Sequence, residues 1–156
     1  MIMDAGSRCE SVDILLVEEN PHDAELLFHS LHKYRLSNAV VWAKDGDEAL
    51  KVLRSTVDAA AGASIPPKLV LLNVKLPKVD GHEVLRQMKT DPVLRSIPVL
   101  ILASSREEVE QFRRLENGAD GYIIKPVEFK NLFSAIRDLA RYWLLLDEAP
   151  PGQPEN

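Results

Sequence analysis

Four short clusters carry the residues whose types could do chemistry together. Glu18 and Glu19 set two carboxylates side by side after an apolar run. Asn73 is a lone amide that closes Leu69-Val-Leu-Leu72. Ala103, Ser104 and Ser105 follow Val99-Leu-Ile-Leu102, and Lys125-Pro126 follows Gly121-Tyr-Ile-Ile124. Carboxylates beside other oxygen donors suit a hard cation such as Mg2+. A neighbouring ammonium suits a phosphate-like anion. Each residue alone also reads as a strand end facing water. What joins them is position, because each closes an apolar stretch. One edge of a fold could therefore collect two carboxylates, an amide and an ammonium.

The elements that must position them follow from periodicity and punctuation. Strands are expected over residues 12–19, 39–43, 68–74, 97–104 and 121–125. Asn20-Pro21 opens the first helix, with Asn as cap and Pro at its first position. Ala24, Leu27, Phe28 and Leu31 give that helix one apolar stripe. Further helices are expected over 46–57, 82–89 and 107–116, the last stopped by Asn117-Gly118. A fifth starts near Val127 and runs past Trp143. Five βα units in succession predict a parallel sheet covered on both faces, which explains the nearly continuous apolar strands. In such sheets the ligand crevice lies outside the carboxyl ends of the strands. The four clusters stand at those ends.

The chain as a whole limits the function classes. Its 156 residues, 46% hydrophobic, fit one globular domain. That domain is expected over 11–148, between a flexible N-terminus, 1–10, and a disordered tail, 149–156. A formal net charge of -5 speaks against a general nucleic-acid or anionic-membrane surface. The single Cys9 excludes an internal disulfide and a Cys zinc cluster, and a reducing cytoplasm is the expected compartment. No apolar run approaches the ~18 residues of a membrane span. No Gly-rich phosphate loop supports a nucleotide enzyme or a flavin-type protein.

Val17-Glu-Glu-Asn-Pro21, Leu71-Leu-Asn-Val-Lys-Leu-Pro-Lys-Val-Asp-Gly81 and Gly118-Ala-Asp-Gly-Tyr-Ile-Ile-Lys-Pro126 resemble the signature blocks of two-component response-regulator receiver domains. The resemblance covers about residues 12 to 140. It implies a flavodoxin-like (βα)5 doubly wound sheet with strand order 2-1-3-4-5 and no enzymatic activity of the domain itself. In that family an acidic pair and an aspartate hold Mg2+, and the aspartate accepts a phosphoryl group from a sensor histidine kinase. By the resemblance, Glu18 and Glu19 match the acidic pair and Asn73 the phosphoacceptor. Lys75 supplies a backbone carbonyl to the metal. Ala103 and Tyr122 match the switch hydroxyl and switch aromatic. Lys125 matches the phosphate-contact lysine and Pro126 its cis proline.

Three of these positions depart from the family pattern. Asn73 lacks the charged oxygen that could attack phosphorus. It could still hydrogen-bond Lys125 and offer an oxygen to a cation. Ala103 lacks the hydroxyl that would hold the phosphate. Ser104, one residue on, points to the opposite face of a strand. Glu19 is one methylene longer than the usual aspartate and disturbs near-octahedral Mg2+ geometry. The expectation is a degenerate, stand-alone receiver (a pseudo-receiver) that acts through protein contacts, requires no cofactor and binds Mg2+ weakly or not at all. The alternative is a phosphorylatable receiver with an engineered Asp-to-Asn change at Asn73.

Two further signals remain. His29 and His32 lie three apart on a helix, but without a third ligand they read as a solvated face. The last helix carries Phe129, Leu132, Phe133, Ile136, Leu139 and Trp143 at helical spacing. Tyr142, Trp143, Leu144, Leu145 and Leu146 then follow, apolar on every side. That extension resembles the receivers that partner phytochromes. It implies a homodimer through Phe129, Tyr142, Trp143, Leu144 and Leu145, and a phytochrome-type kinase or another signalling protein as partner.

Overall fold

Consecutive apolar residues can all be buried only in a strand covered on both faces, and that is how the sheet is built. A computed structural model describes residues 2–4, 13–33, 40–57, 66–115 and 118–137. Its strands are β1 (Ile2–Asp4), β2 (Ile14–Val17), β3 (Val40–Ala43), β4 (Leu69–Asn73), β5 (Val99–Ala103) and β6 (Gly121–Ile124). Its helices are α1 (Pro21–Lys33), α2 (Gly46–Ser55), α3 (Gly81–Lys89), α4 (Arg106–Leu115) and α5 (Phe129–Arg137), with a 3-10 turn at Leu94–Ser96. Every strand pairing is parallel, in the order β1-β3-β2-β4-β5-β6. The five inner and far strands keep the expected 2-1-3-4-5 order, counted from β2.

A sixth strand stands outside that order: Ile2–Asp4, within the stretch expected as the N-terminal segment 1–10, pairs with Val40–Trp42 of β3. Without it, β3 would present a row of unpaired N–H and C=O groups at the sheet edge.

Alternate residues along β2 to β6 feed two cores. Leu15, Val17, Val70, Leu72 and Ile101 pack with Leu50, Leu53, Val84, Leu85, Met88 and Phe112 of α2, α3 and α4. Ile14, Leu16, Leu69, Leu71, Leu100 and Leu102 pack with Ala24, Leu27 and Leu31 of α1 and Leu132 of α5. Side-chain caps start the helices where the strands end. Asn20 Oδ1 accepts from the backbone N–H groups of His22 and Asp23, as the Asn-Pro pair predicts. Asp45 caps α2 and Asp80 caps α3 through the N–H groups of Glu48 and Glu83. Ser105 and Glu108 form a capping pair at α4: Ser105 Oγ accepts from the Glu108 N–H, and Glu108 Oε1 accepts from the Ser104 N–H.

The loop from β4 to α3 is fixed rather than free. The N–H of Gly81 donates to the Val74 carbonyl at 2.9 Å, and that of Gly46 to the Pro77 carbonyl at 3.4 Å. A Cβ at Gly46 would collide with the Val79 carbonyl, and one at Gly81 with the Asn73 carbonyl. Only glycine permits either approach. Lys78 adopts a left-handed conformation, φ 67°, and its ammonium lies 3.7 Å from Asp45.

Candidate functional site

β2, β4, β5 and β6 carry the candidate residues to one edge, as the spacing of the four clusters predicts. Glu18 follows β2 directly and is 1% exposed. A buried carboxylate requires partners, and Glu18 has them. Lys125 Nζ donates to its Oε1 at 2.7 Å, and the Asn20 N–H donates to its Oε2 at 3.1 Å. The Lys125 ammonium also reaches Asp23 Oδ2 at 3.3 Å. Two carboxylates thus share one largely buried cation. The peptide behind Glu18 is held as well: its N–H donates to the Ala43 carbonyl, and its own carbonyl accepts from Trp42 Nε1 at 2.7 Å.

Asn73 ends β4, 7% exposed. Asn73 and Lys125, which could bond each other, take other partners. Asn73 Nδ2 donates to the Lys75 carbonyl at 2.9 Å, while Lys125 turns to the carboxylates. The physical reason is charge: an ammonium gains more from an ionised acceptor than from a neutral amide oxygen. A carboxylate at position 73 could not donate the bond that Asn73 makes. The carbonyl that the resemblance assigns to a metal therefore already accepts a hydrogen bond.

Glu19 is exposed and makes no hydrogen bond or ion pair with another described residue. Ala103 is fully buried and Ser104 exposed. The Ala103 carbonyl accepts from the Lys125 N–H at 2.8 Å, which ties the two strand ends together. Lys125-Pro126 is cis, as expected. Tyr122 is half-buried. Its ring meets Phe112 edge-on at 6.2 Å, and the Arg113 guanidinium lies 4.9 Å from its centre. His29 and His32 are exposed, and His32 stacks on Phe28. The side chain of Phe129 and residues 142–145 lie outside the described residues.

The oxygen donors fit a divalent cation poorly as they stand. Both Glu18 oxygens and the Lys75 carbonyl are engaged within the chain. Among the described residues, no three His, Cys, Asp or Glu side chains cluster as metal ligands. Sequence reasoning missed Asp23, Trp42 and Glu108. The Ser105-x-x-Glu108 spacing announces its capping role. Nothing local marks Asp23 or Trp42, because their partners are distant in the chain.

No described helix is long and apolar enough to cross a membrane. Comparison with known proteins agrees with the geometry. Residues 14–137 match the model of the response regulator receiver domain. The probable methanogenesis regulatory protein FilR2 of Methanothrix harundinacea is 37% identical, over 95% of this chain and 96% of that protein. Response regulator Rcp1 of Synechocystis is 32% identical, over 84% of this chain and 88% of that protein. A solved Mn2+-bound form of Rcp1 superposes with a TM-score of 0.64 at 30% identity, covering 91% of this chain and all of that one. Bacteriophytochrome response regulator AtBRR superposes with a TM-score of 0.76 at 48% identity, covering 88% of this chain and 99% of that one. The Glu18–Lys125 pair, the cis Lys125-Pro126 bond, the parallel sheet and these matches have one common explanation: the chain belongs to the response regulator receiver domain family of two-component signalling.

Proposed function

We propose that this receiver signals without a phosphoryl group on residue 73 and acts through contacts with other proteins. The observation that carries the reading is the Asn73 side chain. It is a neutral amide, and its nitrogen is committed to the Lys75 carbonyl. No charged oxygen stands at the end of β4 to attack phosphorus. Ala103, fully buried, adds no hydroxyl to receive a phosphate. The partner class that the relatives support is a histidine kinase, and the likeness to bacteriophytochrome response regulators favours a phytochrome-type kinase.

Acetyl phosphate with Mg2+ provides the test. The protein should show no stable mass gain of one phosphoryl group, whereas such a gain mapped to this pocket would overturn the proposal. Asn73→Asp separates two histories of the site. If that change alone restores phosphorylation, Glu19 and Ala103 leave the pocket competent, and the chain is a phosphorylatable receiver altered at one position. If it does not, the departures at Glu19 and Ala103 matter in their own right.

A further inference from the structure

We infer that the N-terminal strand, Ile2–Asp4, is a regulatory strap: its pairing with β3 holds the Glu18–Lys125 pair through the Trp42 indole, and releasing the strap loosens the pocket. The backbone supplies the first half of the link. β1 is the outermost strand and runs parallel to β3, with Asp4 level with Trp42. In a parallel ladder a residue turns its N–H and its C=O to one neighbouring strand, and the next residue turns to the other. The Ala43 carbonyl accepts from the Glu18 N–H at 3.1 Å, so Ala43 faces β2. Val41 then faces β2 as well, while Val40 and Trp42 face β1. The peptide groups of Trp42 therefore take their ladder partners from β1.

The side chain supplies the second half. Trp42 is half-buried against the core that α1 covers, and its Nε1 donates to the Glu18 carbonyl at 2.7 Å. Glu18 is 1% exposed, so each of its polar groups needs a partner inside the fold. The carboxylate has Lys125 and the Asn20 N–H. The peptide has the Ala43 carbonyl and the Trp42 indole. Both peptide partners stand at the end of β3. What fixes that end fixes the residue on which the Lys125 ammonium rests.

The strap is short enough to release. Three residues make few ladder bonds, and a strand of that length at the end of a sheet belongs to the low-stability part of a fold. With β1 off, β3 becomes an edge strand and the peptide groups of Val40 and Trp42 lose their partners. Trp42 then holds the Glu18 carbonyl less firmly. A signalling partner that takes hold of the N-terminal strand would thus act on the pocket without entering it. The link rests on Glu18, Trp42 and β1 and is the same whether or not residue 73 accepts a phosphoryl group. It stands or falls apart from the acetyl phosphate result.

Hydrogen exchange of single N–H groups, followed by nitrogen-15 NMR on the whole chain, tests it. Met3→Pro removes a ladder donor from β1, and Trp42→Phe removes the indole N–H. Met3→Pro should speed exchange of the Trp42 indole N–H and of the Glu18 and Asn20 amides about fivefold, the equivalent of one lost hydrogen bond. The Leu71 and Ile101 amides, in β4 and β5, should stay slow. Trp42→Phe alone should speed Glu18 and Asn20, and Met3→Pro added to it should bring no further change there. Unchanged indole, Glu18 and Asn20 exchange in Met3→Pro overturns the inference, whatever the Val40 and Trp42 amides do. Equal speeding at Leu71 and Ile101 overturns it too, because the loss would then be global. A further gain from Met3→Pro in the Trp42→Phe background overturns the indole as the link.

Discussion

At the scale of the residue, Lys125 decides the electrostatics of the pocket. Its side chain is 18% exposed and its partner Glu18 only 1%. Removing one member of a buried pair strands the other. Lys125→Met should therefore lower stability by about 3 kcal/mol, read from the urea midpoint at unchanged slope. Glu18→Gln in the Lys125→Met background should recover part of that loss, and strictly additive effects would deny the coupling. Glu83 supplies a separate, acid-sensitive contact. Hydrogen bonds from Arg86 and Gln87, with the Arg86 charge, lower its pKa from the ordinary 4.5 to about 2. A depressed folded-state pKa means the contribution is present above 4.5 and is lost as pH falls toward 2. Glu83→Gln should flatten the acid side of the stability profile in that window. The effect should shrink in high salt, because the pair is exposed. Carboxyl NMR titration of Glu83 checks the direction directly.

At the scale of the element, the β4–α3 loop is the part most exposed to small changes. Gly81 lets the start of α3 approach the Asn73 carbonyl. Gly81→Ala should cost about 1–3 kcal/mol as overpacking against backbone and move the amide signals of residues 73–75. Asp80→Ala removes only the α3 cap and should cost about 1 kcal/mol, without moving Asn73. Thermal melts of the two variants rank the effects, and an inverted order would mean that the loop yields more easily than the cap. The helix starts were legible in the chain itself because caps are local: Asn20-Pro21 announces α1, and α3 begins one residue before the expected start, behind Asp80. β1 was not legible. Three residues carry no period, and their stabilisation comes from an edge created by β3, far along the chain.

At the scale of the whole molecule, strand order and the gathering of Glu18, Asn73, Ala103 and Lys125 were readable from the βα alternation, the signature blocks and the residues that end each apolar run. The direction in which Lys125 and Asn73 bond was not, because residue types alone leave several donors and acceptors open to each. That wiring has a global consequence for cation response. Millimolar Mg2+ stabilises a receiver only in proportion to its affinity. With the Lys75 carbonyl and both Glu18 oxygens engaged, about 10 mM Mg2+ should raise the melting temperature by less than about 2 °C. Asn73→Asp frees the Lys75 carbonyl from its hydrogen bond and adds a charge, so that variant should show the larger shift. Equal shifts in both proteins would mean that position 73 does not govern cation binding.

Trp42 stands on β3 with its indole N–H on the Glu18 carbonyl and the Lys44 ammonium 5.9 Å from its ring centre. The chain therefore carries its own lamp beside the pocket. In a Trp143→Phe background the remaining emission comes from this one indole. A partner that loosens the peptide behind Glu18, or lifts the strand at the β3 edge, would change its colour and brightness without any attached dye.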